Sequence, residues 1–344
     1  MSTPPPLLEL RGLSKTFTER RGLSIQRVHA LREVSLSVHP GEIVALVGES
    51  GSGKSTALRL VARLTEPTAG ELLFDGRRVP LQRRPNADYR RQVQLIFQDP
   101  FASLNPVHRL GYHVERPLLR HTRLSRQEVE RHVLELFDQV GLSPAREFAK
   151  RYPHQASGGQ RQRVAIARAL AVNPRLILAD EPTSMLDVSI RVGILNLMKA
   201  LKQERNIGFL YITHDLASAR YIADRTLVLY AGQVVEEASS VELMREPLHP
   251  YTRLLLSAVP RPGGNILSPL AAKSGTPNIR EPGAGCSFAS RCPDAVQRCR
   301  EVTPQLAPVG AGRSARCHLI ESTRLVRAPR TSGHLEAAPL AVAR

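Results

Sequence analysis

The segment 41–64, GEIVALVGESGSGKSTALRLVARL, constrains the fold more than any other part of the chain. Ile43 to Val47 are apolar without interruption, which suits a strand buried on both faces of a sheet. Gly48-Glu49-Ser50-Gly51-Ser52-Gly53-Lys54-Ser55 then satisfies G-x-x-x-x-G-K-[ST], and Leu58, Leu60, Val61 and Leu64 recur at helical spacing. Strand, glycine-rich loop and helix, in that order, are the context in which this motif cradles phosphates. Glycines let successive backbone N–H groups converge on phosphate oxygens without Cβ clashes. The helix adds the positive end of its dipole. On this reading Gly48, Ser50, Gly51, Ser52, Gly53 and Thr56 surround the phosphates. Lys54 reaches the β- and γ-phosphates, and the Ser55 hydroxyl ligates Mg2+. The bland alternative is a Gly/Ser turn that happens to precede a helix, and the full match in context argues against it.

A second apolar run, Leu176-Ile177-Leu178-Ala179, delivers Asp180 and Glu181 where a strand would end, the ligand-binding edge of an α/β sheet. Asp180 there would hold Mg2+, directly or through water, and Glu181 would polarise an attacking water. An apolar run followed by two acids is weak evidence alone and strong evidence beside a phosphate loop. Phe209 to Thr213 is a β-rich run that places His214 at another strand end, a position where a lone histidine is more often structural. ASGGQRQRVAIARAL reads as a Ser-Gly-Gly turn opening an amphipathic helix, hence a second anion-binding helix N-terminus. One nucleotide needs only one phosphate loop, so the second site requires an explanation.

These segments, in their order and spacing, resemble the ATP-binding subunits of ABC transporters over about residues 7–260. Gln98 in LIFQDP is similar to that family's Q-loop, and Ala156-Ser157-Gly158-Gly159-Gln160 to the signature usually written LSGGQ. Ser184-Met185-Leu186-Asp187 resembles the D-loop, and His214 in YITHDL the switch histidine. Phe17, in LSKTF, stands where the family has an aromatic that stacks on adenine; a core aromatic is the other reading. The resemblance implies an α/β P-loop ATPase: a core with an antiparallel β subdomain over 1–98 and 171–245, and an inserted helical subdomain over 99–170. It implies Mg2+ held by Ser55, Gln98 and Asp180, with Glu181 as catalytic base assisted by His214 and Gln98. It also explains the second anion site. Two subunits pair head to tail, so that Ser157, Gly158, Gly159 and Gln160 of one cap the γ-phosphate bound by the other. Ala156 replaces the usual Leu of the signature and Met185 a usually small residue, but Ser157, Gly159, Glu181 and His214 are intact, which predicts a hydrolysis-competent site.

From about residue 246 the text changes to EPLHPYTRLLLSAVPRP, then to Pro/Gly-rich sequence carrying Cys286, Cys292, Cys299 and Cys317. Residues 246–320 resemble the C-terminal extension of the oligopeptide/dipeptide/nickel importer branch, and 321–344, rich in Ala, Pro and Arg, read as a disordered tail. The spacing C-x5-C-x6-C-x17-C lacks the two-residue gap of zinc ribbons. Reduced thiols, a disulfide formed on isolation and structural zinc therefore all stay open on the residues alone. The resemblance implies a Cys-ligated [4Fe–4S] cluster, and Cys292-Pro293 echoes the Cys-Pro of cluster ligands. Such a cluster would staple an extension too poor in apolar residues to fold unaided.

Composition bounds the partners. At 42% hydrophobic and 23% charged the chain reads as globular, and no run approaches the ~18 apolar residues of a membrane span. The N-terminus lacks the layout of a signal peptide, so no export is expected. A formal charge of +17, mostly scattered Arg, is compatible with nucleic acid or an anionic lipid surface and selects neither. A soluble ABC-type ATPase acting on nucleic acid is the alternative, but one ATPase half without sustained heptads fits it poorly. The expectation is an ATP-hydrolysing subunit that powers peptide import, peripheral on the cytoplasmic face of the cell membrane. The implied partners are a second ATPase subunit (a paralogue rather than a second copy), two permease subunits and an extracytoplasmic substrate-binding protein, with no nucleic acid.

Overall fold

The computed structural model describes residues 5–21, 24–80, 87–258, 279–280, 282–310 and 312–320; the tail expected from residue 321 lies outside them. The centre is an eight-stranded sheet in the order β11-β12-β10-β9-β3-β8-β7-β6. Its strands are β3 (Ile43–Val47), β6 (Val93–Ile96), β7 (Leu176–Asp180), β8 (Gly208–Thr213), β9 (Arg225–Tyr230), β10 (Gln233–Ser239), β11 (Ala307–Gly310) and β12 (Arg313–Ala315). β9, β3, β8, β7 and β6 run parallel, while β10, β12 and β11 follow antiparallel. The continuous apolar runs have a direct cause. Alternate residues of one strand feed two separate cores, with Ile43, Ala45, Val47, Ile177, Phe209 and Tyr211 in one and Val44, Leu46, Leu176, Leu178, Leu210 and Ile212 in the other. Each fully buried Leu, Ile or Phe contributes ~1.5–3 kcal/mol.

A second, antiparallel sheet has the order β2-β1-β4-β5, from β1 (Leu8–Arg21), β2 (Ser24–Val38), β4 (Ala69–Phe74) and β5 (Arg77–Arg78). It covers one face of the central sheet together with α1 (Lys54–Val61), sharing the second core. Val34–Val38, apolar at every second position, is the end of the fifteen-residue β2. The outer half of the β1–β2 hairpin is polar and interrupted by bulges at Leu10/Leu13, Leu13/Lys15 and Lys15/Thr16, which hides its alternation.

After α2 (Ala87–Gln92) and β6, the chain leaves the sheet for the helices α3 (Leu110–His121), α4 (Arg126–Gln139), α5 (Ala145–Lys150) and α6 (Gly158–Leu170), where residues 99–170 were expected to be helical. Ser125 starts α4 with a reciprocal capping box to Glu128. The chain returns through β7, α7 (Val188–Arg205), β8 and α8 (Leu216–Ile222). β9 and β10 form a tight hairpin at Ala231 and Gly232, both with positive φ, as a two-residue turn requires.

The extension does not stand apart. After α9 (Ser240–Arg245) and α10 (Pro250–Ser257), and beyond α11 (Gln297–Glu301), β12 pairs with β10 through Glu236↔Ala315 and Glu237↔Ser314, so the central sheet continues into it. Glu236, fully buried, accepts the N–H groups of Leu248 and His249 at 2.8 Å each, and the His249 ring accepts the Tyr251 N–H at 3.0 Å, capping α10. Burial raises the Glu236 carboxyl above its ordinary range and lowers His249 to about 3. Tyr230, Tyr251 and Phe288 pack ring on ring at 4.5–5.4 Å, joining β9, α10 and the cysteine-bearing segment.

Candidate nucleotide and hydrolysis site

The phosphate loop leaves β3 at its C-terminal end and enters α1. Gly53 occupies the helix N-cap at φ 109°, and a Cβ there would lie 2.4 Å from the Ala30 carbonyl oxygen. A Cβ on Gly48 would meet the Leu229 carbonyl oxygen at 2.2 Å, so the loop passes hard against β9. The turn after β9 holds it from the other side, the Gly232 N–H donating to the Ser52 carbonyl at 2.9 Å.

Lys54 is buried and donates to the carbonyls of Gly48 and Glu49 at 2.7 and 2.8 Å. Burial lowers its pKa, against the pull of Glu181, Asp180 and Glu49. Its ammonium thus sits among oxygens that a triphosphate can replace. Ser55 Oγ lies 3.5 Å from Asp180 Oδ1 across the cleft. Burial first, and the Glu181 charge second, raise Asp180, which makes a nearby cation favourable. A hydroxyl and a carboxylate facing each other are hard oxygen donors of the kind Mg2+ takes. The Gln98 amide nitrogen is engaged with Glu181, which leaves its oxygen as a third. A Mg2+ held by Ser55, Asp180 and Gln98 would supply positive charge to the bound phosphates.

Glu181 is the meeting point. Its Oε2 accepts from Gln98 Nε2 at 3.2 Å and lies 3.1 Å from His214 Nδ1. The residue has φ 43°, a left-handed conformation rare for a Glu, and its N–H is tied to the Ile212 carbonyl at 2.9 Å. Such conformations cost ~1–3 kcal/mol and persist where the surroundings over-determine them. Strand ends of β6, β7 and β8 thereby aim an amide, a carboxylate and an imidazole at one point beside the phosphate loop. Ser50, Lys54, Ser55, Gln98, Glu181 and His214 all line a single cleft of about 590 Å3. This geometry can bind a triphosphate, charge-neutralise it and hold a water on Glu181.

Phe17 and the signature residues Ser157, Gly158, Gly159 and Gln160 stay outside the cleft, and Gly48, Ser52 and Asp180 are not among the residues that line it. Phe17 lies on β1, exposed, with Lys15 Nζ 5.0 Å from its ring centre. Ser157 caps α6, its hydroxyl accepting from the Gln160 N–H at 3.3 Å while the Gln160 side-chain oxygen accepts from the Ser157 N–H at 2.9 Å. A Cβ on Gly159 would lie 2.4 Å from Ile190 Cγ2, so the helix start needs glycine to pack on α7. Ser157 itself is exposed. Met185, unusual in its position, is exposed as well.

Sequence reasoning missed Ala30 and Ile279, which line the cleft, and two groups that grip the loop from the extension, Tyr251 and Arg291. The phrase HPYTR was legible as a branch mark, and nothing local in it signalled contact with the phosphate loop. The four cysteines are free, with Cys299 and Cys317 buried. Burial raises the Cys286 and Cys317 thiols and takes Cys292 to about 11. Among the described residues no group of three or more His, Cys, Asp or Glu side chains is arranged to hold a metal ion. The expected iron–sulfur cluster is therefore not supported by the geometry. Nor, among the described residues, is any helix long and apolar enough to cross a membrane.

Comparison with known proteins bears on the family. A family model described as ABC transporter matches residues 31–184, and one described as oligopeptide/dipeptide transporter, C-terminal region, matches residues 235–299. The oligopeptide transport ATP-binding protein AppF of Bacillus subtilis is 44% identical over 91% of this chain and 97% of its own. The dipeptide transport ATP-binding protein DppF of Haemophilus influenzae is 42% identical over 92% and 97%. Among solved structures, the ATP-binding cassette MJ0796, a dimer in a post-hydrolysis state bound to ADP and Pi, is 36% identical. It superposes with a TM-score of 0.59 over 68% of this chain and 98% of its own.

Proposed function

The chain belongs to the ABC transporter ATP-binding subunits, in the oligopeptide/dipeptide branch, and from that premise we propose that its ATP hydrolysis powers peptide import. The observation that carries the mechanism is the division of the site. One cleft gathers Lys54, Ser55, Gln98, Glu181 and His214, while Ser157 is exposed on the start of α6 and does not line that cleft. A single chain thus holds two halves of different sites, and two ATPase subunits facing head to tail complete both. That the cassette MJ0796 is a dimer supports this reading.

Lys54 and the loop N–H groups bind the phosphates, Ser55, Gln98 and Asp180 hold Mg2+, and Glu181, steadied by Gln98 and His214, takes the proton of the attacking water. Closure of the pair on ATP and reopening after phosphate release would drive two permease subunits at the cytoplasmic membrane face, supplied by an extracytoplasmic binding protein. The second ATPase subunit is proposed to be a paralogue. The nucleic-acid alternative draws no support from these relatives. The boundaries at 98/99, 170/171 and 245/246 are kept as functional divisions, with the helical insertion as permease-facing part and Gln98 at its hinge.

Ser157→Arg tests the divided site. MgATP binding by the isolated chain should stay at the wild-type level, and turnover by the assembled transporter should fall by about 10²–10³-fold, the cost of losing a charge-stabilising donor. Undiminished turnover, or lost binding by the isolated chain, would sink the proposal. The finer reading of the extension is the [4Fe–4S] cluster on Cys286, Cys292, Cys299 and Cys317, supported by donor type and branch resemblance; no step of ATP chemistry passes through it. Stoichiometric iron and acid-labile sulfide are the expected result after anaerobic purification, and a metal-free chain of full activity removes the cluster.

A further inference from the structure

We propose that the cysteine-bearing segment acts on the nucleotide site through Arg291, a positioning residue that neutralises and holds Glu49 of the phosphate loop. The inference rests on the reading of Gly48–Thr56 as an ATP site and adds to it a control from outside the family's catalytic motifs.

Three other side chains hold Glu49. Its carbonyl accepts from Lys54 Nζ at 2.8 Å, its N–H donates to the Tyr251 hydroxyl at 2.9 Å, and its carboxylate takes both arms of the Arg291 guanidinium at 2.8 and 3.0 Å. One main-chain contact therefore belongs to the phosphate-binding lysine, and the other two contacts belong to the extension. An acidic side chain in a loop built to collect phosphate oxygens is an electrostatic liability, because like charges a few ångströms apart repel. A two-pronged Arg–carboxylate pair cancels that charge and fixes its direction, which a single-point contact does not do.

Arg291 is itself fixed. Its side chain is 13% exposed, against 38% for Glu49, and its guanidinium lies 5.7 Å from the Tyr230 ring centre and 5.8 Å from that of Phe288. Its N–H donates to the Phe288 carbonyl at 3.0 Å, as does that of Cys292 at 2.9 Å, in a turn that begins with the Ala289 N–H on the Cys286 carbonyl at 3.0 Å. Cys286 and Cys292 bracket this turn, so the conformation of the cysteine segment sets where the guanidinium points. Because Glu49 is partly solvated, the pair itself adds little stability. Its effect falls on the charge that an incoming triphosphate meets.

The experiment is equilibrium binding of MgATP to the full chain, with thermal melting followed alongside. Arg291→Ala is expected to bind MgATP about tenfold more weakly than wild type. The double variant Arg291→Ala/Glu49→Gln should regain most of that loss, because the harm comes from the unpaired carboxylate; a merely structural role for Arg291 would give no recovery. Unchanged affinity in Arg291→Ala, or a double variant as weak as the single, overturns the proposal. Arg291→Met, which keeps the apolar stem over Tyr230 and Phe288, carries the same comparison if the alanine variant does not fold. If wild type binds no MgATP, or Lys54→Ala binds it equally well, the nucleotide-site reading fails and takes this proposal with it. If both controls hold and Arg291 is silent, this proposal alone fails.

Discussion

Changing Glu181 to Gln is expected to cut ATP turnover by the assembled transporter by about 10²–10⁴-fold, the usual contribution of a positioned base, while leaving MgATP bound. The amide nearly matches the carboxylate in shape, so it can keep a contact to Gln98 and the main-chain bond to Ile212, but it cannot accept a proton from water. Binding survives because Lys54, Ser55 and the loop are untouched. It should even tighten, because the Glu181 charge is one of the causes that raise Asp180 and it also repels the γ-phosphate. Single-turnover hydrolysis and filter binding on the same preparation separate the two effects. Turnover at the wild-type rate in this variant would remove Glu181 from the role of base and shift attention to His214, 3.1 Å away.

The largest effect on stability is expected from acid, through His249. Its folded pKa, held at about 3 by burial and by Arg253 and Arg316, lies below its ordinary 6.5. The unfolded chain therefore takes up the proton first as pH falls. The stability this neutral ring contributes is complete above pH 6.5 and drains away toward pH 3. Between pH 6.5 and 4.5 the loss amounts to roughly 2–3 kcal/mol, in a window above most carboxylate titration. His249→Asn keeps an acceptor for the Tyr251 N–H at the head of α10 and cannot titrate. Melting temperatures of wild type should fall across that window, and those of the variant should stay nearly level. Parallel pH profiles for the two proteins would mean that His249 is not the group that titrates.

What could be read from the residues, and what could not, divides along sequence distance. β3, β7 and β8 were legible because strands buried on both faces must be apolar throughout, and their ends then point to Gly48, Asp180, Glu181 and His214 by chain order alone. The tight turn at Ala231-Gly232 carried its own signal. The long β1–β2 hairpin did not, since its outer half, Ser14 to Glu19, is polar and bulged. The strands of the β11–β12 hairpin are four and three residues long and include Pro308 and Gly310, residues that argue against a strand until a neighbouring edge receives them. The Arg291–Glu49 fork joins residues 242 positions apart, beyond any local pattern. Ser157 is a different case: the motif was plain, but its working partner is on another molecule, so one chain can only show it exposed.

The continuation of the central sheet into the extension also bears on solubility. In a chain ending after β10, Val234 to Glu237 would form the rim of an eight-strand sheet cut to six, with main-chain groups open to recruit a strand from any neighbouring copy. β12 takes up part of that rim, and the Arg316 N–H donates to the Val235 carbonyl at 2.8 Å just beyond it. The new border is β11, short and interrupted by a proline that offers no N–H. The extension thus replaces a border that would template self-association with one that resists it.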